Sequence, residues 1–363
     1  MVDATDAVSA VKNLVAAARR LVDDREQLAL ELAESSGLSP EGVLLALDKH
    51  LEWRASDAEI AELVRQAAPA APPSTGDGVC VVLSANVFTA ALRAVALARA
   101  ASTCVLVRPS SREPVFVREL LARAADPAIT IVDRIPSERF GGQGRGRVGE
   151  VHAYGRDETI AAIRARLPPD VRLRAHGAGF GVAVIAGDAL DDTAARLADD
   201  VVAFDQKGCL SPRVAFVVGG EDGRPAARRA QVFAERLARA LDALGVSVPR
   251  GRLEAEERAA ITRYVETMRT VGAVEAGASF VVAVAEPNSP MLLPPIGRVV
   301  HVLPVDHAAV AGNLLSPLEP WLVAVGEDVP GAADGIAPPH ARRSGVGFMQ
   351  RPRFDGPVDR RGG

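Results

Sequence analysis

Residues 79–108 read VCVVLSANVFTAALRAVALARAASTCVLVR. The apolar runs at 79–83 and 104–108 bracket an Ala- and Leu-rich segment, 88–101, with the apolar spacing of a helix. Two strands joined by a helix of that length pair in parallel through a right-handed crossover. The alternation continues downstream. Helices are expected at 114–125, 156–166, 189–203, 224–244 and 253–270, and strands at 129–133, 151–154, 182–186, 213–218, 279–285, 299–305 and 321–325. The expected fold class is therefore α/β, with two doubly wound parallel-sheet lobes.

Upstream, Val8, Val11, Val15, Leu21 and Val22 recur at near-helical spacing. Ser39-Pro40-Glu41 is a helix start with proline in the first turn, and Ser56-Asp57-Ala58-Glu59 has the form of a capping box. Residues 67–78, AAPAAPPSTGDG, have no apolar period and read as a linker. The expected division is a helical segment and linker at 1–75, one sheet domain at 76–205, a second at 206–330 and a carboxyl-terminal segment at 331–363.

The 363 residues are 48% hydrophobic and 24% charged, which excludes a disordered, collagen-like or coiled-coil chain. A net charge of -4 gives no footprint for nucleic acid or an anionic membrane, and neither partner is expected. The longest uncharged apolar stretch, Val79–Leu92, ends at Arg93, short of the roughly 18 residues of a membrane span. The acidic, helical amino terminus lacks a cationic stretch before an apolar one, so the expected location is cytoplasmic.

The 3 cysteines form no disulfide framework and have no zinc-ligand spacing, so no metal site is expected. Cys80 and Cys104 lie in apolar runs, where a thiol behaves as a small hydrophobe. Cys209 lies instead in the polar stretch Phe204-Asp205-Gln206-Lys207-Gly208-Cys209-Leu210-Ser211-Pro212-Arg213. A thiolate nucleophile needs nearby positive charge. Lys207 is two residues away and is one of only three lysines, with Lys12 and Lys49; a solvated loop cation is the alternative reading. Gly144-Arg145-Gly146-Arg147-Val148-Gly149 matches a dinucleotide-binding glycine pattern, but it precedes a β-run instead of opening a helix and reads as a surface loop.

The segment from Phe204 to Pro212 resembles the nucleophile loop of the acyl-CoA reductases of the LuxC type, a branch of the aldehyde dehydrogenase superfamily. Four further pieces follow the family's order. Ser84-Ala85-Asn86-Val87-Phe88 matches the place of its oxyanion asparagine, and Arg108-Pro109-Ser110-Ser111 resembles the Lys-Pro-Ser-Ser signature at the adenosine ribose. Tyr154-Gly155-Arg156-Asp157-Glu158-Thr159 is similar to its turn at the cofactor pyrophosphate. Gly347-Phe348-Met349-Gln350-Arg351-Pro352 resembles its closing stretch.

The resemblance implies that 76–205 binds NAD(P), that 206–330 is catalytic and that the tail serves a homodimer. It implies attack of the Cys209 thiolate on an acyl-CoA or acyl-carrier thioester, then reduction by NADPH to an aldehyde. Asn86, with the Cys209 N–H, would stabilise the oxyanion; capping of the following helix is its alternative role. His176 stands where oxidising relatives carry a glutamate base, and without that carboxylate water is poorly activated and hydrolysis is disfavoured. His176 either handles a proton or orients the thiol, or it is a structural histidine at a strand start. Ser111 replaces a glutamate that NAD-preferring relatives offer the ribose, and with Arg108, Ser110 and Arg112 it favours the 2′-phosphate of NADPH. Solvated arginines and a helix-capping Ser110 are the alternative there. Gly155 and Arg156 would meet the pyrophosphate, Arg156 departing from the usual small hydroxyl residue. A CoA-acylating enzyme running in the oxidative direction and a non-catalytic scaffold of the same fold are the competing functions.

Overall fold

The computed structural model describes residues 3–67, 76–135, 137–142, 144, 146–219, 225–287 and 289–361. Most of the expected linker, 68–75, lies outside the described residues. In chain order the elements begin with α1 (Ala4–Asp23), α2 (Arg25–Ser36), α3 (Pro40–Leu45) and α4 (Asp57–Ala67). There follow β1 (Gly78–Val82), α5 (Ala90–Ala101), β2 (Val105–Arg108), α6 (Val115–Ala124), β3 (Ile129–Ile131), β4 (Val148–Tyr154), α7 (Asp157–Arg164) and β5 (Arg172–His176). The chain continues through β6 (Phe180–Ile185), α8 (Leu190–Val202), β7 (Pro212–Val218), α9 (Ala226–Ser247), α10 (Ala255–Val271), β8 (Gly272–Ala276), β9 (Val281–Ala285) and β10 (Val299–Val305). It closes with α11 (Ala308–Leu315), β11 (Leu322–Glu327) and β12 (Arg342–Gly345).

These elements form two compact units. The first comprises 1–36, 46–178 and 353–363, and the second 37–45 and 179–352. The first holds a parallel sheet in the order β3-β2-β1-β4-β5. Its central strand β1 is buried throughout. One face packs on α7 through Cys80, Val82, Leu106, Val151, Ala153, Ile160 and Ile163. α1 lies against α5 and α6, burying Val11, Leu14, Val15 and Leu21, each worth roughly 1.5–3 kcal/mol of removed apolar surface. The two start signals read from sequence are formed. The Ser39 hydroxyl accepts from the Gly42 amide at 3.0 Å, and Ser56 and Glu59 cap each other's amides at 3.3 and 2.9 Å. Among the described residues the glycine-rich stretch leads into β4 and opens no helix.

The second unit holds a seven-stranded sheet, β12-β11-β6-β7-β10-β9-β8, parallel except for β8. β6, β9 and β10 are buried along their whole length, as strands covered by helices on both faces must be. The boundary expected after 205 therefore moves to 178. β6 pairs with β7 and β11, and a strand cannot be separated from the sheet that satisfies its backbone. The helical lead-in is likewise no separate domain, because α1 and α4 pack on α5.

The segment after Pro352 belongs to the first unit, and Arg93 holds it there. The guanidinium of Arg93, 4% exposed, pairs with Glu52 at 2.7 Å and donates to the carbonyls of Arg353 and Gly356 at 2.8 and 2.7 Å. Its Cζ lies 5.3 Å from the centroid of the Phe354 ring.

Candidate active site

Cys209 sits in a turn immediately before β7, partly exposed between the buried residues Gly208 and Leu210. The backbone leading to it is strained: Phe204, Asp205 and Gln206 have φ of 53°, 50° and 64°. Each such left-handed residue costs about 1–2 kcal/mol. The surroundings hold this shape from several sides. Asp205 forms an ion pair with Arg298 at 2.7 Å, the side chains 2% and 1% exposed, and its other oxygen accepts from the Gly251 amide at 2.9 Å. The Gln206 carboxamide donates to the carbonyls of Pro212 and Val299 and accepts from the Val299 amide, all at 2.8 Å. The loop is thus stitched to the start of β10. β6 approaches so closely that a Cβ on Gly181 would stand 2.5 Å from the Leu210 carbonyl oxygen.

The closing motif braces the other side. Gln350 donates through its side chain to the Ser211 hydroxyl at 2.9 Å, while the Gly347 and Gln350 amides donate to Asp200 at 2.6 and 3.3 Å. Burial pushes the Asp200 carboxyl up to about 7 against the pull of these amides and of Arg351. Lys207 is half-buried, and its Nζ lies 3.8 Å from the Cβ position of Gly37. Burial drives the Cys80 thiol up to about 12, as befits a core residue. Cys104 is only partly buried and its sulfur accepts from Arg139 at 3.3 Å, so it is more than a small hydrophobe.

In the first unit the other expected residues gather at the carboxyl ends of the strands. Asn86 follows β1, Arg108 to Ser111 end and follow β2, Gly155 and Arg156 follow β4, and His176 ends β5. The crevice at the β1/β4 reversal of strand order is where such sheets bind ligands. Asn86 is exposed, and the N-cap of α5 is Thr89, three residues beyond it, so it does not cap the helix. The Ser110 hydroxyl accepts from the Arg112 amide at 3.2 Å, whereas α6 is capped by buried Glu113, which accepts from Phe116 at 2.9 Å. Burial raises the Glu113 pKa, with the Phe116 and Val115 amides opposing.

His176 ends β5 instead of starting a strand. That edge strand, Arg172-Leu173-Arg174-Ala175-His176, has no apolar run to announce it. The His176 ring stacks on Tyr154 with centroids 4.3 Å apart, and its carbonyl accepts from the Gly155 amide at 3.2 Å. Asp359 stands 4.0 Å away. Burial lowers the His176 pKa well below the usual histidine range although Asp359 opposes, so the ring is neutral at pH 7. Arg361 ties the same segment down through the Ala178 carbonyl at 2.8 Å.

These residues fit a phosphate-bearing dinucleotide. A Cβ on Gly155 would meet only Thr159, at an ordinary 3.8 Å, which leaves its backbone approachable. Ser111, Arg112 and Arg156 are exposed and Arg108 is half-buried, a donor set suited to phosphate oxygens. The first turn of α7 is acidic, with Asp157 and Glu158, which makes that helix end a poor anion site. Of the groups that matter here, Asp200 and Arg298 carry no local sequence signal, because each acts through partners distant in the chain.

The model of the acyl-CoA reductase (LuxC) family matches residues 71–336. No curated protein matches the chain in sequence. Among solved structures it is similar to an oxidoreductase from Marinobacter aquaeolei, at 12% identity over 97% of this chain and 79% of that one, with a TM-score of 0.72. It is also similar to a Mycobacterium tuberculosis aldehyde dehydrogenase complexed with NAD+, at 14% identity over 96% and 79% of the two chains and a TM-score of 0.69. An NAD-dependent benzaldehyde dehydrogenase from Corynebacterium glutamicum aligns at 16% identity over 88% and 76%, with a TM-score of 0.64. At such identities the likeness establishes the aldehyde dehydrogenase fold. No helix among the described residues is long and apolar enough to cross a membrane.

Proposed function

The chain belongs to the acyl-CoA reductase (LuxC) family, and on that premise we propose that it reduces an acyl thioester to an aldehyde with NADPH, through an acyl group carried on Cys209. The observation that carries this reading is the loop itself: a partly exposed thiol held at the end of a strained, buried and fully braced backbone. Strain of this kind persists only where the surrounding structure over-determines it, and it concentrates at functional sites.

In the first half-reaction the Cys209 thiolate attacks the thioester carbonyl, a C–S bond forms to the enzyme, and the bond to the carrier sulfur breaks with release of the carrier thiol. The Asn86 amide and the Cys209 N–H donate to the oxyanion in this reading. Arg108, Ser111 and Arg112 receive the adenosine 2′-phosphate, and Gly155 and Arg156 the pyrophosphate. When bound, NADPH would supply the hydride that the acyl group needs to become an aldehyde, the C–S bond to Cys209 breaking to return its thiolate. His176, neutral and stacked, acts by holding the Gly155 turn through its carbonyl. The protein works in the cytoplasm as a homodimer in this reading.

The test is NADPH oxidation with acyl-CoA substrates of graded length, together with trapping of a hydroxylamine-sensitive acyl-enzyme. Cys209→Ala should abolish both. An acyl-enzyme that survives this substitution would assign the nucleophile to another residue.

A further inference from the structure

The closing motif, Gly347 to Pro352, has no step in the reaction described above, yet it reaches the nucleophile loop from within the second unit. Cys209 is the second residue of a four-residue turn, Gly208-Cys209-Leu210-Ser211, closed by the Ser211 amide donating to the Gly208 carbonyl at 3.1 Å. Where Ser211 stands therefore decides where the thiol is presented. Ser211 is fully buried and is held on two further sides. Its carbonyl accepts from the Gly181 amide of β6 at 2.9 Å, a backbone tie open to any sequence in this sheet. Its hydroxyl accepts from the Gln350 carboxamide at 2.9 Å, and that tie belongs to a side chain 139 positions away.

Gln350 is itself anchored. Its amide donates to one oxygen of Asp200 on α8 at 3.3 Å, and the Gly347 amide donates to the other at 2.6 Å. Beside it the buried Met349 enters a slot in the sheet. A Cβ on Gly326 of β11 would stand 2.5 Å from the Met349 sulfur, and one on Gly181 of β6 would stand 3.0 Å from its methyl carbon. Glycine inside a strand marks such a close approach. Helix α8 and two strands thus fix the motif, and Gln350 is the group it extends to the nucleophile loop. Stability alone does not ask for this bond: an apolar pair of the same shape would be nearly as stable as a buried carboxamide and hydroxyl. A satisfied buried polar contact instead specifies one arrangement.

We propose that Gln350 and Ser211 are positioning residues for acyl transfer: anchored through Asp200 and Met349, the Gln350 carboxamide holds Ser211 so that the turn presents the Cys209 sulfur at one fixed place. The assignment rests on the thioester reading above and adds to it the groups that set the geometry of the nucleophile. Neither residue touches the reacting atoms, and both act through the turn.

The test compares Ser211→Ala, Gln350→Met and the double variant in the full chain. Three quantities are measured: the melting temperature, the calorimetric affinity for an S-alkyl thioether of CoA, which cannot acylate the enzyme, and the single-turnover rate of acyl transfer from acyl-CoA to Cys209. Each single variant leaves a buried polar group without this partner and should melt lower, whereas the double removes both and should melt no lower than the less stable single. Acyl transfer should fall about tenfold or more in all three, as expected for a small misplacement of a reacting group, with thioether affinity unchanged. The double variant carries the test even where a single one fails to fold. Acyl transfer at the natural rate in the folded variants, or a rate that recovers in the double together with its stability, would overturn the proposal. Failure of the thioester reading looks different: the natural protein then forms no Cys209-bound acyl group. Alkylation of Cys209 by iodoacetamide decides in that case, slower in the variants if the turn positions the sulfur and equal if it does not.

Discussion

Asp205 and Arg298 meet at 2.7 Å with almost no exposure to solvent, and both lie in the left-handed region of the backbone, at φ of 50° and 66°. Each half of the ion pair thus holds down a strained turn, one leading to the Cys209 loop and one leading into β10. Removing one partner strands a buried charge, which typically costs about 3–5 kcal/mol. Arg298→Met should therefore lower stability by about that amount, and Arg298→Met with Asp205→Asn by less than the two single losses combined. Urea unfolding of the three variants measures the coupling; additive losses would mean that the pair does not act as a unit.

Asn86→Ala should lower turnover on the order of 10²-fold, the loss of one oxyanion donor, and leave the melting temperature unchanged because Thr89 occupies the cap position of α5. Steady-state kinetics beside calorimetry separates the two effects. A lower melting temperature with full turnover would return Asn86 to a structural role.

Ser111→Glu should weaken NADPH about tenfold or more and NADH much less, since a new carboxylate would oppose the 2′-phosphate. Dissociation constants for both nucleotides in both proteins decide it. An unchanged ratio would place the ribose elsewhere.

Asp200 gives a pH dependence with a definite sign. Its carboxyl titrates near 7 in the fold against 3.8 unfolded, mainly through burial. Its stabilising contribution is complete below the unfolded value and lost as pH rises through about 7. Between pH 5 and 8 the native protein should lose roughly 3 kcal/mol relative to Asp200→Asn. Unfolding curves at both pH values check this; parallel profiles would show that the buried carboxyl titrates normally.

The central strands were legible because burial on both faces leaves continuous β-branched runs, as in Val281-Val282-Ala283-Val284-Ala285. The edges were not. β5, β8 and β12 are half-exposed, and Arg172-Leu173-Arg174 or Arg342-Arg343-Ser344 show no apolar run. The domain boundary was misplaced for a related reason: membership of β6 in the second sheet is decided by pairing, not by composition. The motif around Cys209 was readable locally, but what shapes it was not. Arg298 is 93 positions from its partner Asp205, and Gly251 is 46. The alternative role of Ser110 as the cap of α6 is not the one the fold uses, because buried Glu113 accepts the first-turn amide.

The clasp around Arg93 bears on the order in which the protein is made. Its guanidinium finds the carbonyl of Arg353 260 positions later in the chain and that of Gly356 263 positions later. The first unit therefore waits, during synthesis, for residues that leave the ribosome after the whole second sheet. Neither unit is one continuous stretch of the gene, so neither can be cut out by a single pair of primers. Contacts of such span also place the chain among slow folders.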